Sequence, residues 1–242
     1  MLLISSIASV LAQAQQPVSL ELVLLVDVSA SVEEDEFRLQ REGLAAAFAS
    51  ADVRRAIRQN ARGGTAVAVV QWGDHKHQHK AIDWVVLRSD EDALAVASRI
   101  AEMPRLIEGG HTAIGDALIY GLKELDSNSF EGLRRAIDLS GDGRSNDGRS
   151  LSESRQTVLS AGVTINALAI LNEIPLLHQY FRKHLIGGDA AFMLTASDYR
   201  DFARAIRLKL EQEIRSAPLS NLHPSSGFRF AGARPGVTDM RR

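Results

Sequence analysis

Residues 20–37 read LELVLLVDVSASVEEDEF, and the reading of this stretch decides the fold. Leu20 to Val26 are almost continuously aliphatic, the pattern of a strand covered on both faces rather than one half-exposed to water. The run stops at Asp27. Ser29 and Ser31 follow at alternate positions, and an acidic, helix-forming segment begins at Glu33. A buried strand that feeds a helix is the first half of a βαβ unit, so the expected class is α/β with a mostly parallel sheet.

The remainder of the chain repeats that alternation. Further strands are predicted at Thr65–Trp72, Ala81–Leu87, Arg135–Leu139, Val163–Leu171 and Ala191–Thr195. Helices are predicted at Glu33–Arg58, Asp90–Glu102, Ala113–Leu125, Leu151–Ala161, Ile174–His184 and Ser197–Ile214. The helix at Asp90 opens on SDEDAL, where Ser89 can cap and the acids suit the positive end of the helix dipole. The polar link between Trp72 and Ala81 has no room for a helix. That pair is therefore predicted to be an antiparallel hairpin at a sheet edge.

The 242 residues, 45% of them apolar, suffice for one α/β domain with a large core. Twenty-eight basic and 30 acidic residues are interspersed to a net charge of -2, so neither nucleic acid nor an anionic membrane is proposed as a partner. There is no cysteine, which excludes disulfides, thiolate metal sites and cysteine nucleophiles. Leu2 to Ala12 are apolar and precede Ala12-Gln13-Ala14, a small-x-small cleavage pattern. Residues 1–14 are read as a signal peptide and the protein as exported to the bacterial periplasm; a frayed end or a short anchor is the alternative. The run is shorter than the ~18 residues of a membrane span. The domain is assigned to residues 17–215, and residues 216–242, rich in Pro, Ser and Gly, to a flexible tail.

Ligands of an open parallel sheet bind beyond the carboxyl ends of its strands, where the winding order reverses. Asp27, Ser29 and Ser31 stand at such an end, and alternation in a still-extended chain would point their oxygens the same way. Each also has an ordinary explanation. Ser31 with Glu34 forms an S-x-x-E capping box, Ser29 can bond the backbone of a turn, and Asp27 can end a strand. Two later loops shift the balance. EGGHTAIGDAL (108–118) carries Thr112 at a helix start, and AIDLSGDGRSNDG (136–148) carries Asp142 just past a strand. Two carboxylates and three hydroxyls from three loops make an all-oxygen set suited to a hard cation, Mg2+ above all.

Asp27-x-Ser29-x-Ser31 with Thr112 and Asp142 resembles the metal-ion-dependent adhesion site (MIDAS) of the von Willebrand factor A domain. The resemblance extends from about Leu20 to Ile214. LQREG, DLSGDGRSNDG, INALAILNE, HLIGGDAAF and DFARAIRLKL are similar, more narrowly, to a bacterial branch of A-domain proteins without assigned function. It implies a Rossmann-like three-layer fold with a mostly parallel six-stranded sheet, one antiparallel edge strand and helices on both faces. It further implies that Ser29, Ser31 and Thr112 offer hydroxyls to Mg2+ (or Mn2+ or Ca2+), with Asp27 and Asp142 binding directly or through water. A metal so poor in anionic ligands attracts an outside carboxylate, supplied in adhesion-type domains by an Asp or Glu of a partner protein. Movement of the last helix on occupancy is implied too. The chain is read as a monomeric, non-enzymatic binding domain; a metal-dependent hydrolase and a structural domain with a vestigial site are the alternatives.

Other motifs add less. His75, His77 and His79 in DHKHQHK would share one face of an extended strand and could hold Zn2+, Ni2+ or Cu2+. Against this, Lys76 and Lys80 would repel a cation, and no carboxylate partner is evident. DGRSNDG fails the EF-hand register at Arg144 and Gly148; Asn146 and Asp147 are read as a tight turn with Gly148, or as partner contacts. His111 is either a rim residue or plainly exposed. No G-x-S-x-G elbow, P-loop or H-E-x-x-H is present.

Overall fold

A computed structural model describes residues 15–60 and 63–215; the signal peptide and tail expected from the sequence lie outside them. In chain order the elements are β1 (Gln16–Asp27), α1 (Glu34–Ala49), α2 (Ala51–Gln59), β2 (Thr65–Trp72), β3 (Gln78–Leu87), α3 (Asp90–Ala101), α4 (Ile114–Asp126), β4 (Phe130–Gly141), α5 (Leu151–Ser160), β5 (Thr164–Ile170), α6 (Leu177–His184), β6 (Met193–Ala196) and α7 (Phe202–Arg215). The six strands form one sheet in the order β3-β2-β1-β4-β5-β6. Only the β2–β3 pairing is antiparallel, as the short polar link required.

β1 is central because both of its faces are apolar. Leu20, Leu22, Leu24 and Val26 pack on one side with Leu44 and Phe48 of α1, Ile57 of α2, Ile100 of α3 and Leu210 of α7. Val23 and Leu25 pack on the other with Leu118 of α4, Val158 of α5 and Phe181 of α6. The result is three layers, with helices on both faces of the sheet. β3, by contrast, is largely solvated, and its Lys80 suits an unpaired edge.

Several boundaries differ from expectation. β1 and β4 each run to 12 residues, extended by pairing with one another from Gln16 opposite Phe130 onward. The helix expected over Glu33–Arg58 is two helices, because Ser50 takes an extended backbone and its Oγ accepts from Val53 N–H, capping α2. The last helix starts at Phe202 rather than Ser197. Asp198 Oδ1 instead accepts from the N–H groups of Arg200 and Asp201, holding a turn that aims Tyr199 inward.

One polar cluster lies inside the layer under α7. Lys209, fully buried, places Nζ 2.7 Å from Asp138 Oδ2 and 3.5 Å from Glu213 Oε1. Glu213 also accepts from Arg134 (2.9 Å) and from the Asn166 amide. Burial raises the Asp138 carboxyl to about 6, against Lys209, which lowers it, and with Glu213, which raises it further.

Candidate functional site

β1 pairs with β2 on one side and β4 on the other, so the winding reverses between β1 and β4. Asp27 ends β1 and Asp142 directly follows β4, which puts both carboxylates at the switch point, where an open α/β sheet forms its ligand crevice.

All five residues singled out in the sequence lie around that point. Asp27, Ser29, Thr112 and Asp142 are buried, and Ser31 is exposed. Ser29 and Ser31 have their Oγ atoms 3.3 Å apart, and Ser31 Oγ donates to Asp142 Oδ1 at 2.8 Å. The convergence has a different cause from the expected one, since the chain is not extended there. Ser29 N–H donates to Asp27 Oδ1 (2.9 Å), Val32 N–H donates to Ser29 O (3.0 Å), and the turn between them brings the serines round. Nor does Ser31 cap α1. Glu33 takes the N-cap position, with its N–H donating to Glu36 Oε2, so the Ser31 hydroxyl is free for the site.

Thr112 arrives with the loop before α4. Its N–H donates to Asn146 Oδ1 (2.8 Å) and its carbonyl accepts from Asn146 N–H (3.0 Å), a two-point clamp between the second and third loops. Ala30 N–H donates to Gly110 O (2.9 Å), tying the first loop to the second. Ser31, Thr112, Asp142, Arg144, Asn146 and Glu173 line an open cleft of about 310 Å³. Asn146 thus positions Thr112 beyond forming a turn, and His111 is exposed.

The electrostatics are those of a site short of positive charge. Asp27 Oδ2 is buried with no hydrogen-bond partner among the described residues. Gly141 leaves room for it; a Cβ there would lie 2.8 Å from that oxygen. Burial, then the Asp142 charge, raises the Asp27 carboxyl from an ordinary 3.8 to about 7.

Three contributors were missed in the sequence. Tyr199 OH donates to Asp142 Oδ2 at 2.9 Å, and burial followed by the Asp142 charge holds that phenol far above its usual range. Gln40 Nε2 donates to Asp27 O (3.0 Å). Arg105 donates to the carbonyls of Val28 and Val32 (3.2 and 2.9 Å), bracing the first loop. Gln40 carried a signal, since it falls between Phe37 and Leu44 on the buried stripe of α1. Tyr199 carried none, because its role depends on where α7 begins.

The histidine motif is arranged differently from the shared face expected of it. His75 and His77 lie in the hairpin turn before β3, and only His79 lies on the strand. Carboxylates are present after all. His75 Nδ1 is 2.7 Å from Asp147 Oδ2 and His77 Nδ1 is 2.8 Å from Asp74 Oδ1. His75 holds Asp147 down at about 2.

The structure is similar to proximal thread matrix protein 1 from the mussel byssus, with a TM-score of 0.58 and 18% identity over 84% of this chain and 47% of that one. The pilus adhesin SpaC from Lactobacillus rhamnosus GG gives 0.59 and 14% over 84% and 31%, and BatB from Bacteroides thetaiotaomicron 0.54 and 15% over 81% and 100%. The chain thus spans about half of the mussel protein and a third of the adhesin. A second structure of the mussel protein is described as having a zinc-occupied MIDAS motif. No curated protein matches the sequence. No helix among the described residues is long and apolar enough to cross a membrane. The fold is that of the von Willebrand factor A domain, and the match of residues 17–218 to the family described as "Protein of unknown function (DUF1194)" makes this chain a member of that bacterial family.

Proposed function

We propose that this protein is a divalent-cation-dependent protein-binding domain, in which Asp27, Ser29, Ser31, Thr112 and Asp142 hold Mg2+, with Mn2+ and Ca2+ as further fits. The observation that carries this reading is the partnerless, buried Oδ2 of Asp27 in a site shared with the Asp142 carboxylate. A buried Asp27 carboxylate facing the Asp142 charge is stabilised by a cation, and the hydroxyls of Ser29, Ser31 and Thr112 complete an oxygen set of the kind hard cations take. When bound, the cation supplies positive charge at the floor of the cleft, where an Asp or Glu side chain of a partner can approach. The chain's own residues do the positioning. Asn146 holds Thr112, the Ser29 turn brings Ser31 to Asp142, and Tyr199 and Ser31 orient the Asp142 carboxylate.

The neighbours support a binding role over catalysis, being described as an adhesin, a thread matrix protein and a minor pilin. Their descriptions as byssus-thread and pilus proteins also fit the export signal read at residues 1–14 and a protein that works in the periplasm. Zn2+ is the ion named for the mussel protein's motif, so the ion's identity belongs in the test. A cation at a hundred times its Kd should stabilise the fold by about 2.7 kcal/mol, a Tm rise of roughly 5–10 °C for a domain of this size. Asp27→Ala should abolish the rise and, with it, chelator-sensitive capture of periplasmic protein. Equal Mg2+ shifts in variant and wild type would remove the site assignment; capture unaffected by chelator or by Asp27→Ala would remove the docking role.

A further inference from the structure

The structure assigns a second cation site, separate from the Asp27 set, to Asp74, His75 and Asp147, with a borderline transition ion such as Zn2+ as the occupant. One ligand atom from each of Asp74, His75 and Asp147 lies within 4.8 Å of the others, and His77, outside that group, holds the Asp74 carboxylate with its Nδ1 2.8 Å from Oδ1. One imidazole and two carboxylates form a nitrogen–oxygen set that favours Zn2+, Ni2+ or Cu2+ over Mg2+. The Asp27 set, all oxygen, has the opposite preference.

The ligands come from two loops far apart in sequence, the β2–β3 turn and the loop after β4, and the fold makes room for their meeting. A Cβ on Gly148 would lie 2.9 Å from His75 Cβ, and one on Gly110 would lie 2.8 Å from Asp74 Oδ2; both glycines have positive φ, 71° and 98°. Backbone bonds fix the carboxylates, with His75 N–H donating to Asp147 Oδ2 (3.0 Å) and Lys76 N–H donating to Asp74 Oδ1 (2.8 Å). Lys80, which would oppose a cation, is turned onto Asp83 and Glu124 at 2.9 and 3.0 Å. Ligand atoms of a tetrahedral Zn2+ shell are about 3.4 Å apart, given bonds of about 2.0–2.2 Å. The His75–Asp147 separation of 2.7 Å therefore needs to open by less than an ångström. The ion takes the place of the proton in the His75–Asp147 hydrogen bond; in a neutral imidazole that proton passes to Nε2 by exchange with solvent, so that the ligating ring binds through Nδ1 and carries its one N–H on the other nitrogen.

The test is Zn2+ titration calorimetry on tag-free full-length protein in excess Mg2+, together with Co2+ absorption as a direct sign of nitrogen ligation. Wild type and Asp27→Asn should both bind Zn2+ and show Co2+ d–d bands. His75→Ala and Asp147→Asn, both at solvent-accessible positions that leave the core intact, should weaken binding at least about tenfold, since even outer-shell losses cost 10–100-fold. Equal Zn2+ affinity in wild type and His75→Ala overturns the proposal. So does Zn2+ binding that is lost in Asp27→Asn yet kept in His75→Ala, which would put the ion in the Asp27 site, or binding abolished by His79→Ala alone.

Discussion

Asp27→Asn should stabilise the metal-free protein at neutral pH and destroy its response to Mg2+. The Asp27 carboxyl is raised from 3.8 to about 7 by burial and by Asp142. A carboxyl raised in the folded state adds stability that is fully present below about pH 4 and lost as pH climbs through about 7, because the folded protein binds the extra proton in that window. At about 1.4 kcal/mol per pH unit the loss has a ceiling of about 4 kcal/mol. Asparagine keeps the Oδ1 acceptor for Ser29 N–H and carries no charge, but its amide sits where Oδ2 has no partner. An unsatisfied buried donor costs roughly 1–3 kcal/mol, which leaves a net gain of about 1–3 kcal/mol at pH 8. Urea unfolding in chelator at pH 5, 6, 7 and 8 measures it. The gap between variant and wild type should widen with pH and level off above about 7, and saturating Mg2+ should reverse the order by stabilising wild type alone. A gap of zero at pH 8, or one independent of pH, refutes the claim that Asp27 is a strained buried carboxylate awaiting a cation.

Two further substitutions probe the supports of the site. Tyr199→Phe removes a buried donor to Asp142 Oδ2 and should cost the metal-free protein about 2 kcal/mol in urea unfolding, the scale of a hydrogen bond to a charged group; no loss would mean that the Tyr199 bond does not steady Asp142. Lys209→Met leaves Asp138 buried without its cation, while Glu213 keeps Arg134, and should cost about 3–5 kcal/mol at pH 8. The cost should shrink at pH 5, because Asp138, already raised to about 6, then takes up a proton; an equal cost at both pH values counts against an ionised Asp138.

Most of the architecture was legible because burial on both faces leaves its mark in composition. β1 has too few polar residues to be a surface strand, and the short link from Trp72 permits only a hairpin. Helix ends were less legible, since they turn on a few local bonds. Ser50 divides α1 from α2 with one capping bond, and Asp198 delays α7 with two. The serine at position 31 fitted a capping box by spacing, yet the neighbouring glutamates cap the helix in its place.

For the site, the chemical identity of the donors was written in the sequence. Asp27, Ser29 and Ser31 in one loop, with Thr112 and Asp142 in two others, are an oxygen set wherever the chain puts them. Tertiary structure alone decided how that set is held and charged. The strand order sets Asp27 beside Asp142 at the switch point, and closure of the core removes the water that would otherwise keep Asp27 ionised. The same packing brings Tyr199 57 residues back along the chain to Asp142 and joins His75 to Asp147 across 72. Local spacing can specify which ligands a loop offers, whereas contacts between loops depend on sheet order, which no single segment encodes.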